Sequence, residues 1–175
     1  MKPALRLTLM GQEEFARRLA ALDRVAKDKA KYQVNRFSLE LMNEAKLACP
    51  VDMGQLRSSI RPTYFQNGMT AEVSTNTGYG AFVEFGTGPR GRNSYPGPVP
   101  KDYVYGSGGK MPPLLPIKEW CKRKGLPPGI AFVIARQIGR KGLKARPFML
   151  PAFEKIRPQF EAKIERIIED AARSL

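Results

Sequence analysis

The segment Tyr79-Gly80-Ala81-Phe82-Val83-Glu84-Phe85-Gly86-Thr87-Gly88-Pro89-Arg90-Gly91 says more about fold and function than any other stretch of this chain. It begins as an apolar, aromatic-rich run and ends in glycine and basic residues. One carboxylate, Glu84, stands among the hydrophobic side chains. The composition predicts a buried aromatic element that leaves the core sharply at Gly86, because glycine can turn the backbone where other residues are strained.

The glycines of this segment have the spacing Gly86-x-Gly88-x-x-Gly91, which matches a dinucleotide-binding fingerprint. In that fingerprint the glycines open a helix whose N-terminal amides meet a pyrophosphate. Pro89 and the proline-rich residues 93–98 argue against a helix here. We therefore predict no nucleotide site, and we interpret residues 86–113 as a long Gly/Pro-rich loop that orders against a partner.

Upstream, apolar residues recur at spacings of three and four from Gln12 to about Ala48 and predict a long N-terminal helix. The charged stretch Lys27–Lys31 lies between two apolar stripes, so it is either the exposed middle of one helix or a break between two. Pro50 ends the pattern, because the residue before a proline is pushed out of the α region. Asp52 is then in position to cap a short helix over residues 55–57.

A hairpin is predicted between the N-terminal helices and the aromatic segment. Two strand-like runs, Ile60–Phe65 and Met69–Thr75, flank Gln66-Asn67-Gly68. Asn-Gly between two such runs is a strong hairpin signal, because both residues tolerate positive φ.

Downstream of the loop, two helices are predicted near Ile117–Lys124 and Ile130–Arg140. The proline-bounded stretch Ala145–Pro151 is predicted to be an edge strand. Pro158 should fall near the first turn of a C-terminal helix or kink it. One face of that helix carries Phe153, Ile156, Phe160, Ile164, Ile167 and Ile168. Together these elements predict a single α+β domain over residues 1–175: a long N-terminal helix, a small antiparallel sheet, two short helices and a C-terminal helix.

The charge is strongly positive. Thirty Lys and Arg stand against sixteen Asp and Glu, a net charge of +14, so the chain should be drawn to polyanions. Over residues 118–146 nine basic side chains stand against Glu119 alone. This basic segment contacts phosphates, contacts an acidic protein, or is simply solvated. Its candidate residues are Lys122, Arg123, Lys124, Arg136, Arg140, Lys141, Lys144 and Arg146.

Composition argues against catalysis and against cofactors. The chain has no histidine, which is the commonest general base and zinc ligand, and its two cysteines, Cys49 and Cys121, cannot complete a metal site alone. They are expected to be free thiols in a reducing cytoplasm. Glu84 is expected to pair with an arginine or to cap backbone amides rather than to act as an acid. No apolar run approaches 18 residues, so no membrane span is expected.

Three segments, in this order, resemble one protein family, the small neck or tail-completion proteins of long-tailed bacteriophages, which include head–tail joining and minor tail components. They are Ala48-Cys49-Pro50-Val51-Asp52-Met53-Gly54-Gln55-Leu56-Arg57-Ser58-Ser59-Ile60, Tyr79-Gly80-Ala81-Phe82-Val83-Glu84-Phe85-Gly86-Thr87 and Arg146-Pro147-Phe148-Met149-Leu150-Pro151-Ala152. Two departures stand out: Gly80 replaces the usual alanine, and the segment over 86–110 is longer than a minimal member needs.

The resemblance implies a non-enzymatic virion protein, made in the bacterial cytoplasm, that completes the tail and joins it to the DNA-filled head. It implies a homo-oligomeric ring, for which we expect a hexamer, in contact with connector, tail-terminator or tail-tube proteins and nonspecifically with channel DNA, but not with a membrane. The alternative is a basic DNA-binding or packaging-associated protein. The residues that match the family motifs are Pro50, Asp52, Gly54, Leu56, Tyr79, Glu84, Phe85, Gly86, Thr87, Pro147 and Phe148. Those expected in an assembly loop are Gly88, Pro89, Arg90, Arg92, Tyr95, Tyr103 and Tyr105.

Overall fold

The long helices predicted at the two ends of the chain are present in the computed structural model, which describes residues 5–7, 24–101, 103–105 and 111–173. Within this part of the chain, contacts group into two compact units. We call Lys2–Gly80 with Phe148–Leu175 the sheet unit, and Ala81–Pro147 the basic unit. The predicted α+β class is confirmed.

Helix α1, Arg24–Ala48, is one continuous helix of the sheet unit. It passes through Lys27–Lys31 without a break, so the alternative of a break between two helices at this charged stretch is wrong. The part of the predicted helix before Arg24 lies outside the described residues. One face of α1 is buried at a spacing of three and four, as the periodicity predicted: Ala26, Ala30, Val34, Phe37, Leu41 and Ala45.

The C-terminal helix α7, Met149–Arg173, packs along α1. The rings of Phe37 and Phe160 meet edge to face at 5.1 Å between centroids. The sequence predicted that Pro158 falls near the first turn of this helix or kinks it. The first alternative is wrong, because the proline lies inside the helix, well beyond the first turn. The predicted edge strand over 145–151 is also wrong: residues 142–147 are in neither helix nor strand, and α7 begins at Met149. Pro151 lies in the first turn of α7. A proline is compatible with a helix at this position, because the amides of the first turn have no helical hydrogen-bond partner.

The predicted hairpin is confirmed as β2, Ile60–Phe65, and β3, Thr70–Thr75, in antiparallel register from Ile60 opposite Thr75 to Phe65 opposite Thr70. The turn residues Gln66, Asn67 and Gly68 all have positive φ, of 49°, 56° and 84°. A further strand, β1 at Leu5–Leu7, pairs antiparallel with the other edge of β3. The sheet order is therefore β1-β3-β2. Sequence reasoning missed β1, because three residues are too few to show alternation.

A short helix α2, Gln55–Ser59, leads into β2. The N-cap position of α2 belongs to Gly54, which has φ of 79°. The capping role expected of Asp52 stays a prediction. Gly54 can occupy this left-handed conformation without the Cβ penalty that other residues carry.

The basic unit is helical. Its helices are α3 at Gly80–Phe85, which starts at the last residue of the sheet unit, α4 at Gly88–Arg92, α5 at Leu114–Arg123 and α6 at Ile130–Lys141. Helices α5 and α6 pack together and correspond to the two predicted helices. Helix α4 corrects the prediction that Pro89 excludes a helix. Pro89 lies in its first turn, where a missing N–H costs nothing and the fixed φ suits a helix.

Candidate functional site

The first family motif forms the turn between α1 and the sheet. Leu56 is buried, while Asp52 is exposed and Pro50 half-buried. Tyr79, from the second motif, reaches this turn: the backbone of Leu56 forms a hydrogen bond to its hydroxyl, and Cys49 and Asp52 are close enough to influence it electrostatically. Partial burial raises the pKa of Tyr79, and the hydrogen bond to Leu56 opposes that rise. Two of the motifs therefore meet within the sheet unit.

Gly80 departs from the family pattern for a steric reason. A Cβ at this position would lie 2.6 Å from Thr75 Cγ2 and 3.3 Å from Leu56 Cδ1. The buried Thr75 hydroxyl is held by Ser59 Oγ at 2.5 Å and by Thr77 Oγ1 at 3.0 Å, so it has little room to yield. This polar network takes the space that an alanine methyl group would need.

Glu84 is buried on α3 within the basic unit. The Tyr95 hydroxyl points at Glu84 Oε1 at 3.5 Å, and the Tyr95 ring packs edge to face on Phe85 at 4.9 Å. The role of Glu84 as a structural anchor stays a prediction.

Gly86 and Gly88 make room for the backbone at the end of α6 and after it, and Gly91 makes room for the backbone of Gly86. Gly86 has φ of 74°, and a Cβ there would lie 2.5 Å from the Leu143 carbonyl oxygen and 2.6 Å from Gly91 Cα. Gly88 has φ of 58° and lies against Gly142. A Cβ on Gly142 would overlap the Thr87 carbonyl oxygen. The glycines thus serve close contact between backbones.

Hydrogen bonds join the two backbones into what we call the glycine clamp, residues 83–94 with 142–146. Thr87 N–H donates to Leu143 O at 2.9 Å, and Leu143 N–H donates to Thr87 Oγ1 at 2.9 Å. Arg146 N–H donates to Val83 O at 2.8 Å. Ser94 Oγ accepts from Ala145 N–H at 2.8 Å. A dinucleotide site needs a strand before its glycines and a full helix after them. Here the glycines follow helix α3, and α4 has only five residues. These two observations, rather than Pro89, are the reasons for predicting no nucleotide site.

An aromatic cluster covers the clamp. Tyr103 is buried, its hydroxyl donates to the Gly86 carbonyl, and its ring lies 4.7 Å from that of Phe85 and 5.2 Å from that of Tyr105. Burial raises the pKa of Tyr103 to about 12, and the nearby Tyr105 contributes to the rise. Arg92 stacks over Tyr105 at 5.9 Å. Much of the expected assembly loop is thus packed inside the basic unit, with Gly88 and Gly91 also buried, whereas Pro89, Arg90 and Arg92 are exposed.

The structure separates the predicted basic residues into two groups. Arg140 and Lys141 end α6, and together with Lys144 they line an open concavity that also receives Arg90 from α4. The other predicted cations do not line it: Lys122, Arg123 and Lys124 stand at the end of α5, Arg136 on α6 and Arg146 in the clamp segment, all exposed.

The third family motif crosses from one unit to the other. Pro147 ends the basic unit, and Phe148 and Met149, the first residues of the returning sheet unit, are fully buried. Sequence reasoning expected an extended segment here and missed that the motif initiates α7.

Neither metal clusters nor disulfides are found within the described ranges. No group of three or more His, Cys, Asp or Glu side chains there could hold a metal ion. Neither Cys49 nor Cys121 forms a disulfide, and both are buried. In the same part of the chain no helix is long and apolar enough to cross a membrane.

Comparison with known proteins gives one family. Residues 13–86 match the family described as "Bacteriophage HK97-gp10, putative tail-component". The match contains the first motif and nearly all of the second, and it ends before the third. No curated protein and no solved structure matches the chain. The resemblance drawn from the sequence motifs is therefore confirmed: over residues 13–86 this chain matches the HK97-gp10-like family of bacteriophage tail components, a family with a structural role.

Proposed function

We propose that this chain is a non-enzymatic protein of the phage neck, which completes the tail and joins it to the DNA-filled head as one subunit of a ring. The observation that carries the proposal is the family match over residues 13–86, a segment that contains the turn at Gly54 and the approach to Gly86. The coarser role, a structural component of a phage tail, follows from the family itself.

The form of the motifs is compatible with a structural role. Gly86 of the second motif holds two backbones in close contact, and Phe85 and Phe148 of the second and third motifs are buried in the packing. Such a rigid frame can present exposed residues, among them Pro89 and Arg90, to a neighbouring subunit. In a ring the contacts are heterologous, with one patch meeting a different patch on the next copy.

Inactivating the gene in the phage that encodes this chain tests the proposal. We expect filled heads and separate tails, with infectious particles restored when the wild-type chain is supplied in trans. The Gly86→Ala variant, which disrupts the clamp, should restore few infectious particles when it is supplied in trans. The Gly129→Ala variant, changed at an exposed position with open space, should restore as many as the wild type. Normal joined particles without the protein would refute the neck function. Electron microscopy of joined particles counts the subunits, and a monomer or an open chain in the neck would contradict the ring.

A further inference from the structure

The concavity at the end of α6 brings together cations that are far apart in the sequence. Arg90 comes from α4, Arg140 and Lys141 from the last turn of α6, and Lys144 from the segment that follows. All four side chains are exposed, and the Asn93 side chain lies among them. Arg92, two residues from Arg90, is directed elsewhere, over the Tyr105 ring.

The backbone beneath the concavity is fixed by the glycine clamp. Ser94 Oγ donates to Gly91 O at 3.2 Å and accepts from Ala145 N–H at 2.8 Å, so it ties the end of α4 to the segment after α6. The paired hydrogen bonds between Thr87 and Leu143 hold the other side. The four cations are therefore mounted on a preformed frame, which lowers the ordering cost of binding.

The concavity and the unit around it are strongly positive. No acidic side chain lines it among the described residues. The basic unit as a whole has thirteen Lys and Arg against three Asp and Glu, a net charge of +10 out of the +14 of the chain. Of those three acids Glu84 is buried. A strongly positive concavity of this kind concentrates anions at its surface.

We propose that this concavity binds the phosphate backbone of duplex DNA, through Arg90, Arg140, Lys141 and Lys144. Side chains of Arg, Lys and Asn are those that contact phosphate oxygens in protein–DNA complexes. An acidic protein is a poorer fit, because the centres of protein interfaces are depleted in lysine and rely on apolar and aromatic anchors. Here Pro89 is the one apolar residue of the lining that the structure describes.

The binding should be independent of sequence. Within the described part of the chain no aromatic side chain lines the concavity, so these residues offer the bases of a single strand nothing to stack on. The backbone of a duplex needs no such platform. This inference goes beyond the proposed neck function. It concerns the isolated chain, so its test does not depend on whether the chain forms a ring.

The test measures binding of the full-length protein to a fluorescent 30-base-pair duplex between about 0.05 and 0.3 M salt. The variant R90Q/R140Q/K141Q/K144Q removes the four cations of the concavity. The control K118Q/K122Q/K124Q/R136Q removes the same charge at exposed positions outside it. Circular dichroism and thermal unfolding confirm that both variants are folded.

Each phosphate contact contributes about −0.9 to the slope of log Kobs against log salt. The concavity variant should therefore flatten the slope by roughly 3 to 4 and weaken binding at 0.1 M salt by about 100-fold or more. The control should change the slope by less than about 1. Equal losses in the two variants would mean that only net charge matters, which would overturn the proposal. Tighter binding to polyglutamate than to DNA, lost in the concavity variant, would also overturn it and would indicate an acidic protein partner.

Discussion

At Gly86 two separate requirements for glycine coincide. The backbone has φ of 74°, and a Cβ would lie 2.5 Å from the Leu143 carbonyl oxygen. Gly125 shares the positive φ, at 68°, but nothing lies within 4 Å of its Cβ position. Gly129 has an ordinary helical φ of −61° and equally open space.

Alanine substitutions at these three positions should form a graded series. Gly86→Ala should lower the free energy of unfolding by about 3 kcal/mol, since backbone strain and steric overlap add. Gly125→Ala should cost about 1 kcal/mol from strain alone. Gly129→Ala should cost nothing, because alanine reduces the entropy of the unfolded chain. Urea unfolding measures all three. A Gly86→Ala variant no less stable than Gly125→Ala would show that Leu143 yields easily.

Tyr103 should make stability depend on pH in the alkaline range. Burial raises its pKa from 10.0 to about 12, so the folded state favours the neutral phenol. The stabilisation from this group is complete below pH 10 and declines as the pH rises from 10 to 12. Tyr103→Phe should be less stable than the wild type at pH 8, because the hydrogen bond to Gly86 O is lost. The difference between the two proteins should shrink by pH 11, measured by unfolding at each pH. A constant difference would contradict the raised pKa.

At the scale of elements, Thr87 connects α4 to the segment after α6 through one side-chain oxygen. Thr87→Val removes the acceptor of Leu143 N–H while keeping shape, and should cost about 1 kcal/mol. Hydrogen exchange at the Leu143 amide should become faster. Thr87→Ser keeps the hydroxyl and should preserve slow exchange. Equal exchange rates in the valine and serine variants would mean that the side chain contributes nothing to the clamp.

Helix α7 contains two prolines in different positions. Pro158 lies in the interior, where it removes a helix hydrogen bond, and Pro151 lies in the first turn, where it does not. Both side chains are exposed. Pro158→Ala should raise the free energy of unfolding by about 2 kcal/mol, while Pro151→Ala should change it little. Thermal unfolding compares them, and a destabilised Pro158→Ala protein would indicate that the proline serves a local bend.

Sequence reasoning succeeded where one element carries a complete local signal. The buried stripe of α1 repeats over about five turns, from Ala26 to Ala45, and Asn67-Gly68 marks the hairpin directly. It failed where the deciding contact is distant: the bond between Thr87 and Leu143 joins residues 56 positions apart. Helix α3 is too short to show periodicity, and Pro89 suggested a loop although prolines begin helices well. The cluster of Gly86, Gly88, Gly91 and Gly142 was a signal of close backbone contact that could have been recognised.

At the scale of the whole chain, the basic unit is inserted between two halves of the sheet unit, which continues at Phe148. The hydrogen bond from Arg146 N–H to Val83 O ties the two ends of the insertion together. When the basic unit is folded, its two ends therefore form a short connection between Gly80, the last residue of the first half of the sheet unit, and Phe148, just before α7. When it is unfolded, the packing of α1 on α7 must close a flexible loop of 67 residues, from 81 to 147.

That loop closure should couple the units and make the chain unfold as the single domain that the sequence predicts. Closing a flexible loop of this length costs roughly 4 kcal/mol, a large share of the stability of a domain of this size. Each unit contains one buried cysteine, Cys49 in the sheet unit and Cys121 in the basic unit. Thiol labelling at increasing urea, with mass spectrometry to assign the site, follows the two separately. We expect both to become reactive at the same urea midpoint. Gly86→Ala, which weakens only the basic unit directly, should move both midpoints together, because the cost of closing the unfolded insertion is transmitted to α1 and α7. If Cys121 alone shifts, the two units are independent domains and the single-domain prediction is wrong.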